Sequence, residues 1–232
     1  MSALLYPIAI WEPVSYIGDA SLMSAGSLGW VEHVVIGNGD VHDLFEHAPP
    51  GNRRFSHLWF AKDGRVRQYQ DLAHDSWAQV GGNDSYWSCE TEGFPSEPLT
   101  DAQLDALARW HVWSGTADAI ATIPGQRGIG THEMGGAAWG GHACPGPIRA
   151  GQRAEILRRA AALRQGGTVA AKFTATDLAP VWASTWDNNE SAADRLAAAA
   201  HGTAVLPPLA QLAATLARIE AKIDALTAAP KP

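Results

Sequence analysis

The chain has 232 residues, 46% hydrophobic and only 18% charged, which suits one large domain or a domain with an appendage and excludes fibrous and disordered classes. Its 17 basic and 24 acidic residues leave a formal charge of −7, which argues against nucleic acid or an anionic membrane as the dominant partner. Two cysteines, Cys89 and Cys144, permit at most one internal disulfide and leave thiol chemistry or metal ligation open.

The opening MSALLYPIAIWEP has a short apolar run with no basic residue ahead of it and no cleavage pattern, so we expect no secretory signal and synthesis in the cytoplasm. No apolar run approaches the ~18 residues of a membrane span. Residues 31–36 (VEHVVI) are β-branched and bounded by Gly29 and Gly37, the pattern of a buried strand. Residues 57–70 read as two strands joined at Lys62, Asp63 and Gly64, where Asp-Gly favours a hairpin turn. Residues 85–93 (SYWSCETEG) form a third strand candidate. Thr100 with Gln103 makes a capping box opening a helix to about Trp113. After a glycine-rich stretch over 125–146, residues 148–164 read as one helix ended by Gly166 and Gly167. A first domain is expected to close at 167, followed by an Ala-rich linker over 168–208 and a helix over 209–228. In that helix Leu209, Leu212, Leu216, Ile219, Ile223 and Leu226 fall at heptad spacing, which suits either self-association of chains into a homo-oligomer, the favoured reading, or one amphipathic helix lying on the main domain.

The chemistry concentrates in two places. His33 lies inside the first strand, where an ionisable ring serves either as a hydrogen-bonded core residue or as a metal ligand. The stretch THEMGGAAWGGHACPGP places His132, His142 and Cys144 together before a helix. Two imidazoles and a thiolate are a ligand set that Zn²⁺ favours, and three protein ligands leave a fourth position open for catalysis. Ten tryptophans, among them Trp59, Trp77, Trp87 and Trp139 in or beside these motifs, suit either sugar stacking or core filling.

An early strand histidine, an aromatic strand followed by a DG turn and VRQYQ, an S-x-E-x-E-G strand, and a histidine followed by CPG before a helix resemble the type-2 N-acetylmuramoyl-L-alanine amidases over roughly residues 28–162. That family shares its fold with the peptidoglycan recognition proteins and includes many bacteriophage endolysins. The resemblance implies an α/β fold, a central mixed β-sheet flanked by helices, here with a helical C-terminal tail. It implies zinc held by His33, His132 and Cys144, with Glu90 as the strand glutamate beside the reacting water. It places His142 where relatives often carry a lysine that steadies the transition state, and His57 where a non-ligand histidine is common. The partner implied is peptidoglycan, its glycan strand and stem peptide. An endolysin would reach it from inside the cell through a holin-made lesion; the absent signal fits a cytoplasmic amidase recycling wall fragments equally well.

Two departures keep alternatives open. His132 and Cys144 are 12 residues apart, wider than the family's usual spacing, so His142 competes with His132 as the second histidine ligand. Glu92 sits two residues from Glu90 and competes for the carboxylate role. The same fold also serves as a non-catalytic peptidoglycan-binding module, a branch in which the cysteine ligand is commonly lost, so Cys144 and Glu90 favour the enzyme. Cys89, on the opposite strand face, reads as a small buried hydrophobe, and His42, His47, His74, His111 and His201 as surface or helix histidines.

Overall fold

A computed structural model describes residues 4–23 and 27–165, all within one unit spanning 1–174. The linker, heptad helix and oligomer expected over 168–228 lie outside the described residues.

Six strands, β1 (Ile10–Trp11), β2 (Gly29–Val34), β3 (Leu58–Phe60), β4 (Val66–Gln68), β5 (Trp87–Thr91) and β6 (Gly128–Thr131), form one mixed sheet ordered β1-β4-β3-β5-β2-β6. The four strands β3, β5, β2 and β6 run parallel, while β4 turns back antiparallel to β3 and pairs parallel with β1. The hairpin between β3 and β4 turns at Gly64, whose φ of 88° is the conformation its Asp-Gly pair favours. Among the described residues there are four α-helices: α1 (His42–Glu46), α2 (Asp101–Ser114), α3 (Pro147–Gly151) and α4 (Arg153–Gln165). Thr100 caps α2 as expected, its side chain accepting from Gln103 N while Gln103 reaches back to Thr100 N.

Alternation along β2 divides the chemistry between the two sheet faces. Trp30 and Glu32 face the helices, where Trp30 donates its indole N–H to His111 Nδ1. Val31 and His33 face the other way, with Val31 packed against Tyr86 and Trp139. Cys89 is fully buried, as its place on the opposite strand face suggests.

Several elements differ from their sequence-based bounds, among them the strand expected over 85–93, which spans Trp87–Thr91. The strand expected over 31–36 spans Gly29–Val34, and Ile36 leaves it with φ 54°. The glycine-rich stretch 125–146, for which the sequence predicts no element, contains β6. The helix expected over 148–164 is two helices, α3 and α4, parted at Gln152. Of the histidines expected on the surface or on helices, His111 is a helix residue, buried on α2 between Trp30 and Asp118. Among the described residues no helix is long and apolar enough to cross a membrane.

Candidate metal centre

Parallel strands present their carboxyl ends along one edge, where open α/β sheets gather ligand-binding groups. His33 stands one residue before the end of β2, His132 immediately follows β6, and Glu90 stands one residue before the end of β5, in register with His33. Cys144 is brought to the same edge by a loop whose base is closed by Glu133 N donating to Cys144 O at 3.0 Å. The ligand atoms of His33, His132 and Cys144 all lie within 4.8 Å of one another.

Each of the three is held by backbone or by a buried side chain. His33 Nε2 lies 3.0 Å from Oε1 of the buried Gln79. His132 Nε2 lies 2.7 Å from the carbonyl oxygen of Trp139. A carbonyl only accepts, so Nε2 of His132 carries the hydrogen and Nδ1 keeps its lone pair. Val34 N–H donates to Cys144 Sγ at 3.3 Å, an arrangement that suits a thiolate. The glycine-rich insertion therefore supplies a hydrogen-bond acceptor to the histidine that opens it. Trp139 is nearly fully buried and pressed against Gly82, where a Cβ would lie 2.4 Å from the indole.

Without a cation every one of these groups favours its neutral form. Burial, with His132 nearby, pushes His33 down to about 3, and burial also lowers His132. Burial, with Glu90 nearby, pushes the Cys144 thiol up, and burial raises Glu90 to about 8. Glu90 Oε2 is sealed from solvent without a hydrogen-bond partner. Neutral imidazoles are what a metal requires, and a thiol and a carboxyl of this kind gain most from a divalent cation. Two imidazole nitrogens and one sulfur match the donor preference of Zn²⁺.

The remaining candidates fall outside that trio. His142 is exposed, its ring centroid 5.1 Å from that of His132, and it borders the site without joining the cluster. Glu92 accepts from Gly39 N and Lys62 N, each at 2.7 Å, and so ties two loops together. His57 is buried away from the cluster, its Nδ1 accepting from Ser88 N and its Nε2 donating to His74 O. All four tryptophans pack against protein, with Trp77 and Trp87 keeping part of their surface exposed. Trp59 and Trp139 are buried, Trp77 packs on Tyr16 and Phe55, and Trp87 packs on Trp110. Sequence reasoning missed Gln79 and Arg149. Arg149 is fully buried and donates to the carbonyls of Phe94, Glu97 and Glu92 and to Thr91 Oγ1, which fastens α3 to the end of β5.

Comparison with solved structures finds the same fold at low identity. A selenomethionine derivative of AmpD is 19% identical and aligns with a TM-score of 0.52 over 68% of this chain and 98% of its own. Staphylococcus aureus hydrolase AmiA, in complex with its ligand, is 15% identical with a TM-score of 0.52, over 70% of this chain and 87% of its own. The endolysin N-acetylmuramoyl-L-alanine amidase LysCS from Clostridium intestinale URNW is 15% identical with a TM-score of 0.50, over 67% and 96% respectively. A search of curated proteins finds no match. The sequence profile of one family, N-acetylmuramoyl-L-alanine amidase, matches residues 29–147, half of the chain and the whole of the site, and the chain belongs to that family.

Proposed function

We propose that this chain is a zinc-dependent N-acetylmuramoyl-L-alanine amidase that cleaves cell-wall peptidoglycan as an endolysin does. The observation that carries the reading is the convergence of His33, His132 and Cys144 within 4.8 Å, with Glu90 in register beside His33. When bound there, Zn²⁺ supplies a Lewis acid that polarises the scissile carbonyl and makes water a nucleophile near neutral pH.

The protein's own groups do the rest. Glu90, with its unpartnered Oε2, takes a proton from the attacking water and returns it to the departing amine. The carbon–nitrogen bond between the muramoyl lactyl group and L-alanine breaks, leaving a lactyl carboxylate and a free peptide amine. His142, exposed beside His132, offers an N–H to the oxygen that gains negative charge in the transition state.

The test compares wild type with Glu90→Gln on purified walls, by turbidity, and on soluble muropeptides, by product analysis, with zinc measured in each preparation. A loss of about 10²- to 10⁴-fold in turnover with zinc retained is expected. Near-full activity of Glu90→Gln refutes the mechanism. Activity on soluble muropeptides without lysis of walls replaces the endolysin role with a recycling one.

A further inference from the structure

We infer that Gln79 is the positioning residue that sets the tautomer of His33, so that the ring carries its hydrogen on Nε2 and turns an unprotonated Nδ1 toward the metal. The inference rests on the zinc reading above. It starts from the donor and acceptor inventory of one buried amide. Gln79 is fully buried, and its Nε2 lies 2.9 Å from the carbonyl oxygen of Gly82 and 2.9 Å from that of Tyr86. Both amide hydrogens are thereby used, and both partners can only accept, which fixes the orientation of the amide. Its Oε1 must then face His33 Nε2 at 3.0 Å, and an amide oxygen there demands a hydrogen on the ring nitrogen. A neutral imidazole with its hydrogen on Nε2 has its lone pair on Nδ1.

The amide is itself held. Asn83 Oδ1 accepts from the backbone N–H of Ala78, at 3.1 Å, and of Gln79, at 2.8 Å, while Gly82 N donates back to Gln79 O at 3.0 Å. This turn meets the other histidine's support directly, because Gly82 lies against the Trp139 indole and the Trp139 carbonyl accepts from His132 Nε2. Two acceptors, one a side-chain amide and one a backbone carbonyl, thus fix two imidazoles in the same tautomer before any metal arrives. Fixing a ligand's hydrogen and ring orientation in advance strengthens metal binding, and loss of such a partner typically costs about 10- to 100-fold in affinity.

The experiment uses the full chain and two readouts that involve no substrate. In metal-free wild type labelled with ¹⁵N-histidine, long-range nitrogen–proton correlation is expected to show His33 with its hydrogen on Nε2; a hydrogen on Nδ1 overturns the inference. Chelator competition should show zinc bound about 10- to 100-fold more weakly by Gln79→Met, a residue of similar length without polar atoms. Unchanged affinity in a Gln79→Met protein that melts as a folded chain also overturns it. If that variant does not fold, the wild-type tautomer decides alone. A chain that binds zinc in this way but hydrolyses no muropeptide refutes the proposed function and leaves the role of Gln79 standing.

Discussion

Stability of the metal-free protein should peak near pH 6.5 and fall on both sides, because four buried groups resist their own ionisation in opposite directions. Burial raises Glu32 from 4.5 to about 7 and Glu90 from 4.5 to about 8, and lowers His33 from 6.5 to about 3 and His57 from 6.5 to about 4. A carboxyl raised by folding leaves stability intact below 4.5 and removes it as pH rises through the folded value. A lowered imidazole leaves stability intact above 6.5 and removes it as pH falls through the folded value. Each group contributes about 1.4 kcal/mol per pH unit while it is protonated in one state only. Between 4.5 and 6.5 the two carboxyls and two imidazoles cancel, and the buried His111 and His132, also lowered, tilt this plateau toward its neutral edge. From 6.5 to 8 only the carboxyls act, with a ceiling of about 3 kcal/mol on the loss, which water entry and relaxation reduce. Glu90→Gln removes most of that alkaline loss and leaves under about 1 kcal/mol from Glu32. Urea unfolding followed by tryptophan fluorescence, with a chelator present, measures the profile. Stability that is constant or rising from pH 6.5 to 8, or an alkaline slope unaffected by Glu90→Gln, refutes the reasoning.

Cys144→Ser should empty the zinc site, and His142→Ala should leave one zinc per chain, by metal analysis after gel filtration; zinc retained by Cys144→Ser would remove the thiol from the ligand set. Zinc affinity should rise at least about tenfold per pH unit between 6.5 and 7.5, because binding displaces the Cys144 proton; competition titrations showing no pH dependence would contradict a thiolate ligand. Glu92→Gln should lower stability by about 1 to 3 kcal/mol through its two backbone contacts while leaving kcat unchanged, which urea melts and steady-state kinetics separate. Gly82→Ala should displace Trp139, cost about 1 to 3 kcal/mol and weaken zinc binding, since the added methyl overlaps the indole that carries the His132 acceptor.

Much of the fold was legible because its local rules agree with its global ones. The Thr100 and Gln103 box, the Asp63-Gly64 turn and the run VEHVVI each announce an element that forms. β6 was hidden because its sequence, GIGT, answers to close approach and not to strand propensity. A Cβ on Gly128 would lie 2.1 Å from Ala119 O, and one on Gly130 would lie 2.6 Å from the Met134 methyl. The single helix expected over 148–164 hid its break because a lone glycine, Gly151, is tolerated inside a helical pattern at a cost of about 1 kcal/mol and does not by itself announce an end. The ligand types were readable, since histidines and a cysteine before Pro-Gly are few in any chain. Gln79 was not, because its importance comes from two carbonyls and an imidazole contributed by different parts of the chain, and glutamine in a turn carries no periodic signal. Glu32 was likewise unremarked: both of its oxygens lack a hydrogen-bond partner, on the sheet face opposite His33.

The clasp between Glu133 N and Cys144 O separates how far apart two residues are along the chain from how far apart they sit in space. Once the ends of a loop are pinned, doubling its length costs only about 0.6 kcal/mol of closure entropy. The intervening segment can then change in length at small entropic cost, provided the part that carries the Trp139 carbonyl keeps its place on His132. Searches that demand a fixed gap between histidine and cysteine will overlook such chains. Within that segment Gly136, Ala137 and Ala138 are exposed, and added residues there leave the site intact only while the neighbouring Trp139 stays seated against Gly82 with its carbonyl on His132.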